Sequence, residues 1–125
     1  AYQRQKHTQK LRDRVISNVL GDIPDSTLTG HPERRLPNHA SFAFQGLDGN
    51  LLVSALDVEG FACSSGSACK TGNSEPSSVL LSMGFDPGWA KGSLRVTVCK
   101  DTQQNEVDAF LDVLPVVVKR LRELT

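Results

Sequence analysis

The sequence predicts an α+β fold: a small antiparallel or mixed sheet of about three to four strands, helices packed on one face, and long N- and C-terminal helices. Three observations carry this. Apolar residues recur at helical spacing near both ends of the chain, two short central stretches alternate as strands do, and Gly- and Pro-rich punctuation separates them. At 125 residues the chain is read as a single domain, 1–125.

Leu11, Val15, Ile16, Val19 and Leu20 mark one face of a first helix that runs through Leu20. Arg12, Asp13 and Arg14 are assigned to its polar side, and Gly21 is the stop signal. The residues through Lys10 hold few apolar positions and read as the tail of a helix entering from elsewhere. Pro24, Pro32 and Pro37 then make a loop with room for one short strand around Ser26 to Thr29. His39 to Phe44 places Ala40, Phe42 and Phe44 on one side, the pattern of a half-buried strand.

Asn50 to Val58 returns to helical spacing through Leu51, Leu52, Ala55 and Leu56, with Asp48 or Asn50 as cap and Gly60 past the end. Phe61 to Ser64 is a short apolar strand candidate, followed by a loop of small residues up to Cys69. A short helix over Glu75 to Met83 is expected, with Ser74 as N-cap and Pro76 in the first turn. Trp89 to Gly92 reads as a connector and Ser93 to Val98 as the third strand. The final helix starts after Asp101 or Thr102. Its stripe is Val107, Phe110, Leu111, Leu114, Val118 and Leu121, and Pro115 predicts a kink within it.

Composition narrows the function. Fourteen Lys plus Arg balance fourteen Asp plus Glu, which argues against a nucleic-acid or anionic-membrane footprint. No apolar run approaches the roughly 20 residues of a membrane span. The three cysteines make a poor disulfide framework, so reduced thiols and a cytoplasmic location, or an organelle matrix, are expected. With no Cys-x-x-Cys or His-x-x-x-His pair, no metal site is expected.

The sharpest chemical feature is Ser64-Ser65-Gly66-Ser67-Ala68-Cys69, a flexible loop of small residues leading to a thiol. Mobility and accessible backbone N–H groups suit a nucleophile that must reach two places. On the residues alone, a small buried hydrophobe explains Cys69 as well, and that plainer reading is stronger for Cys63 after Phe61 and Ala62. Arg95 sits inside an apolar strand, where a planar fork aimed at a carboxylate is one explanation and an exposed edge position is the other. His31 and His39 are assigned no catalytic role.

Together, HPERRLPNHASFAF, the run from Leu51 through Ser-Ser-Gly-Ser-Ala-Cys and Glu75-Pro76-Ser77 to Gly84, and GSLRVTV resemble the C-terminal small domain of the pyridoxal-phosphate-dependent cysteine desulfurases, a class-V aminotransferase-like family. The resemblance implies sulfur transfer from L-cysteine, giving L-alanine and a persulfide on Cys69, with Arg95 binding the substrate carboxylate. It implies a homodimer in the full-length form and a sulfur acceptor such as an iron–sulfur scaffold protein. The long spacer before Glu75-Pro76 resembles the branch with a long flexible loop. Cys99-Lys100 departs from the Gly-Arg that often follows the arginine strand in that family. A stand-alone persulfide carrier or interaction module is the alternative, and part of a lyase acting on selenocysteine or a cysteine sulfoxide is a third reading.

The family's Schiff-base lysine follows a histidine in a large N-terminal domain, and the resemblance implies that this domain lies outside these 125 residues. None of Lys6, Lys10, Lys70, Lys91, Lys100 and Lys119 follows a histidine. The resemblance therefore implies that the isolated chain holds no pyridoxal phosphate and is inactive alone. Mixing the chain with pyridoxal phosphate should give no imine absorbance near about 420 nm and no stoichiometric borohydride-trapped lysine; one fully modified lysine would contradict this.

Overall fold

A computed structural model describes residues 2–30, 38–70 and 73–124, with backbone only for 2–5, 68–70 and 73. The order is α1 (Tyr2–Asp22), β1 (Ser26–Leu28), β2 (His39–Phe44), α2 (Gly49–Val58), β3 (Ala68–Lys70), β4 (Asn73–Glu75), α3 (Ser78–Ser82), α4 (Pro87–Ala90), β5 (Ser93–Thr97) and α5 (Gln104–Glu123). The fold is α+β with long terminal helices, as the periodicity predicts. An antiparallel sheet runs β1-β2-β5, and β3 and β4 form a separate two-stranded hairpin.

The β2–β5 ladder sets up the molecule. Its register pairs Ala40 with Val96 and Phe42 with Leu94, while Ser41 faces Arg95 and Ala43 faces Ser93. Successive side chains of a strand point to opposite faces. One face therefore carries Ala40, Phe42, Phe44, Leu94 and Val96 into the main core, where they meet Leu11, Val15 and Val19 of α1, Leu52 and Leu56 of α2, and Val107, Phe110 and Leu114 of α5. The other face is covered at one end only, where Leu80 of α3 and Ala90 of α4 close over Ala43 with Phe85 and Trp89 against them.

The local rules are visible at the caps. The Asp48 carboxylate accepts from the backbone N–H groups of Asn50 and Leu51 and so starts α2. The Glu106 side chain reaches back to the N–H of Gln103 at the start of α5. Pro115 lies inside α5, which runs through it as one helix. Arg122 in the last turn donates to the carbonyls of Pro24, Asp25 and Gln45, tying the end of α5 to the start of β1 and the end of β2.

Several expectations are corrected. The helix after Cys69 begins at Ser78 rather than Glu75, because Ser77 is the cap: its Oγ accepts from the Leu80 N–H. Glu75 instead belongs to β4, consistent with the extended backbone favoured before a proline. The connector at Trp89 contains the one-turn helix α4, capped by Asp86. Phe61 to Ser64 makes a single bridge, Ser64 to Arg95, in place of a strand. Arg12 is buried rather than on a solvated face. Its stem joins the packed side of α1 while its guanidinium bonds the Asp13 carboxylate at 2.8 Å. His31 lies outside the described residues. Among the described residues, no helix is long and apolar enough to cross a membrane.

Gly92 is where the ladder is tightest. The Phe44 N–H donates to the Gly92 carbonyl at 2.9 Å, and a Cβ at Gly92 would collide with the Phe44 carbonyl oxygen. Gly92→Ala should therefore destabilise the chain by about 1–3 kcal/mol or more, read as a lower urea midpoint; an unchanged midpoint would contradict this packing.

Candidate functional site

On its open face, β5 presents Arg95 beside a groove of about 280 Å³. Ser41, Ser77, Leu80, Met83 and Ser93 also line it. The covered end of this face is closed by Leu80 and Ala90 over Ala43, and the open end carries Ser41 and Arg95. Arg95 is exposed, and among the described residues no carboxylate pairs with its guanidinium. A planar fork left open beside a groove can take a carboxylate through two parallel hydrogen bonds.

The chain reaches this face again through Ser64. The Arg95 N–H donates to the Ser64 carbonyl at 2.7 Å, and the Ser64 N–H returns to the Arg95 carbonyl at 3.2 Å. The next three residues are held by hydroxyl groups. The Gly66 N–H donates to Ser93 Oγ at 2.7 Å, and Ser65 Oγ and Ser93 Oγ lie 3.0 Å apart. The Ser67 N–H donates to Ser65 Oγ at 3.1 Å, and Ser67 Oγ donates to the Lys91 carbonyl at 2.8 Å. The segment that reads as a loose run of small residues is thus anchored from Ser64 to Ser67, and Ser67 is buried.

Small side chains are required here for a specific reason. A Cβ at Gly66 would lie 3.2 Å from Ser93 Oγ and 3.3 Å from Ser77 Oγ. A Cβ at Gly49 would meet the Ser93 carbonyl and Ser65 Oγ. Beyond Ser67 the chain enters the β3–β4 hairpin, with Ala68 opposite Glu75 and Cys69 opposite Ser74. The return strand has its own tether, because Asn50 Nδ2 of α2 donates to Ser74 Oγ at 3.1 Å.

The structure therefore brings Ser64, Ser65 and Gly66 against the strand that carries Arg95, ties Ser67 to the Lys91 carbonyl just before that strand, and places Cys69 on the hairpin that follows. Ser93, Asn50 and Ser74 escape a reading of the sequence. Ser93 is separated from Ser65 by 28 positions, so no local pattern announces the pair. Among the described residues that line the groove there is no lysine. Among the described residues, no group of three His, Cys, Asp or Glu side chains could hold a metal.

The other two cysteines lie elsewhere. Cys63 lines a smaller notch with Val15, Phe61, Val96, Phe110 and Glu106, and burial pushes its thiol up to about 11. His39 starts β2 with Nδ1 3.4 Å from Thr97 Oγ1, at the exposed end of the sheet.

Residues 1–110 match the class-V aminotransferase family. The chain is 42% identical over 117 residues to the cysteine desulfurase IscS 1 of Archaeoglobus fulgidus, covering 94% of this chain and 30% of that protein. It is 44% identical over 113 residues to an IscS-like cysteine desulfurase of Mycobacterium tuberculosis, covering 90% of this chain and 29% of that protein. Among solved structures, a NifS-like protein superposes with a TM-score of 0.76 at 28% identity, covering 94% of this chain and 28% of that one. The chain thus spans about 30% of the length of the curated relatives it matches.

Cys99 is exposed and Cys63 is not, which separates their reactivity. The thiolate is the nucleophile, and a thiol raised to about 11 is almost wholly protonated near about pH 8. The raised value also means that the contribution of the buried Cys63 thiol to stability is complete below its ordinary value of 9.0 and falls away as pH rises toward 11. Iodoacetamide near about pH 8 should alkylate Cys99 at least about tenfold faster than Cys63, by peptide mass spectrometry; equal rates would contradict the burial of Cys63.

Proposed function

The chain belongs to the class-V aminotransferase family, and from that premise we propose that it is the small C-terminal domain of a cysteine desulfurase. Cys69 receives the sulfur of L-cysteine, and Arg95 binds the substrate carboxylate. The observation that carries the reading is the juxtaposition on β5: an Arg95 guanidinium open to a groove, next to the root of the hairpin that bears Cys69. The desulfurase relatives support the reaction class.

The step balances as a thiol exchange with carbon. The Cys69 thiolate attacks the substrate sulfur, and a sulfur–sulfur bond forms as the substrate carbon–sulfur bond breaks. The bonding pair stays with carbon, which takes up a proton, so the products are a Cys69 persulfide and L-alanine. Pyridoxal phosphate, held by the larger part of the whole protein, supplies the electron sink for the carbon pair. The residues of this chain act around that chemistry. Arg95 fixes the carboxylate end of the substrate, so the sulfur is presented from a defined direction. Ser64 to Ser67 set where the hairpin leaves the domain, and Cys69 beyond them carries the sulfur outward.

The outer sulfur of the persulfide then passes to the thiol of an acceptor such as an iron–sulfur scaffold protein. The working form is a homodimer. Open chemistry at Arg95 suits an amino-acid carboxylate, and the zero formal charge of the chain offers no polyanion footprint.

In the whole protein, Cys69→Ser should abolish persulfide formation while cofactor binding stays intact, whereas Cys63→Ser and Cys99→Ser should change it little. Trapping followed by peptide mass spectrometry reads the site, and extra sulfur on Cys63 or Cys99 would sink the assignment. Arg95→Ala should weaken cysteine binding by roughly 1.5–3 kcal/mol, about ten- to a hundredfold in apparent affinity; an unchanged affinity would remove the clamp.

A further inference from the structure

We infer that Ser93 is a positioning residue for Cys69, acting through Gly66 and Ser65 rather than by touching the substrate. The inference rests on the reading of Cys69 as the sulfur-accepting thiol. Ser93 is buried, and its hydroxyl is the centre of the network that holds the root of the hairpin. It accepts from the Gly66 N–H at 2.7 Å and meets Ser65 Oγ at 3.0 Å; Ser65 Oγ in turn takes the Ser67 N–H at 3.1 Å. One hydroxyl therefore fixes Gly66 directly and, through Ser65, Ser67, leaving two peptide steps between the anchored segment and Cys69.

The position of Ser93 in the sheet gives this network its consequence. Ser93 and Arg95 are alternate residues of the same strand, and both line the groove. The strand that holds the carboxylate clamp therefore also holds the point from which the thiol is delivered. The distance between clamp and thiol is then set mainly from this strand, with the bond from Ser67 Oγ to the Lys91 carbonyl, just before it, as a second tie. A second property makes the hydroxyl irreplaceable by packing. The root is built from serines and a glycine, and the space at Gly66 is closed by Ser93 Oγ and Ser77 Oγ. Removing the Ser93 hydroxyl leaves the Gly66 N–H without its acceptor, and no apolar side chain of the root can hold the segment in its place. Arg95 keeps its location, because the β2–β5 ladder and the paired bonds to Ser64 position its backbone.

The expected signature is a split between binding and turnover. A displacement of about 1 Å in a reacting group can reduce rate about a hundredfold, whereas carboxylate binding at Arg95 is unaffected. The test compares Ser93→Ala, Ser65→Ala and the double variant in the full-length holoenzyme, with cysteine as the probe, alanine production and Cys69 persulfide as readouts, and thermal unfolding alongside. Each single variant should lower kcat about tenfold or more with KM for cysteine within about twofold. The double variant should be no worse than the poorer single, because both act through one network. Ser93→Thr, which keeps the hydroxyl on a β-branched strand residue, should recover most of the rate. A kcat within about twofold of the parent, a KM that rises in step with the loss, or losses that multiply would each overturn the inference. If Ser93→Ala does not fold, Ser65→Ala is judged by the same criteria. A parent enzyme that loads sulfur on another cysteine would refute the reading of Cys69 itself, whereas normal loading on Cys69 with unaffected variants would refute only the role of Ser93.

Discussion

The rest of the structure depends on the pairing of β2 with β5. Two interleaved sets of side chains leave that ladder in opposite directions. Phe42, Phe44 and Leu94, all fully buried or nearly so, are gripped by three helices, and burial on this scale is the dominant stabilising term of a small fold. Because the side-chain period is two, seating Leu94 and Val96 in the core obliges Ser93 and Arg95 to face away from it. The exposed chemistry is thus a by-product of hydrophobic register. A slip by one residue would bury a guanidinium and expose two apolar side chains, so the packing energy of the core also guards the placement of the groove. Gly92 and Gly49 let backbones approach closely at the edge of this ladder, which is why the hydroxyl network can form at all.

The same scaffold sorts the cysteines by environment. Cys63 is packed against core residues and its thiol is held protonated by desolvation. Cys99 is exposed beyond the end of β5, where its N–H donates to Thr102 Oγ1 at 2.9 Å in the turn before α5. Cys69 alone is carried on the hairpin that rises from the groove side of the sheet, with its strand partner Ser74 tethered to α2. For the sulfur-carrying role proposed for Cys69 a thiol needs a firm base and a short reach, and hydroxyl-to-amide bonds supply a base without filling the groove with apolar bulk.

Much of this was legible in the amino-acid order, and the boundary of legibility has a physical cause. The alternation in His39 to Phe44, the cap at Asp48 and the stripe from Val107 to Leu121 are local signals, and the elements they mark are present. The β3–β4 hairpin is not of that kind. Its residues are small or polar, show no period-two apolar pattern, and are strands only by virtue of pairing with each other. Pro76 displaces the following helix by forcing an extended backbone before it, so the cap falls to Ser77 and not to Ser74. The candidate site divides in the same way. Cys69 and Arg95 stand out by residue type and context, whereas Ser93 looks like any strand-start serine until Gly66, 27 positions earlier, is seen donating to it.

The central claim is that sulfur moves on Cys69 while Ser64 to Ser67 stay fixed to β5. Amide hydrogen exchange of the full-length holoenzyme, followed before and after cysteine is added, addresses it most directly. The account predicts that the Ser64 and Gly66 amides are protected to within about tenfold of the Arg95 amide and remain so once the persulfide has formed. Exchange of those two amides at the rate of an open peptide, or loss of their protection on sulfur loading, would contradict it.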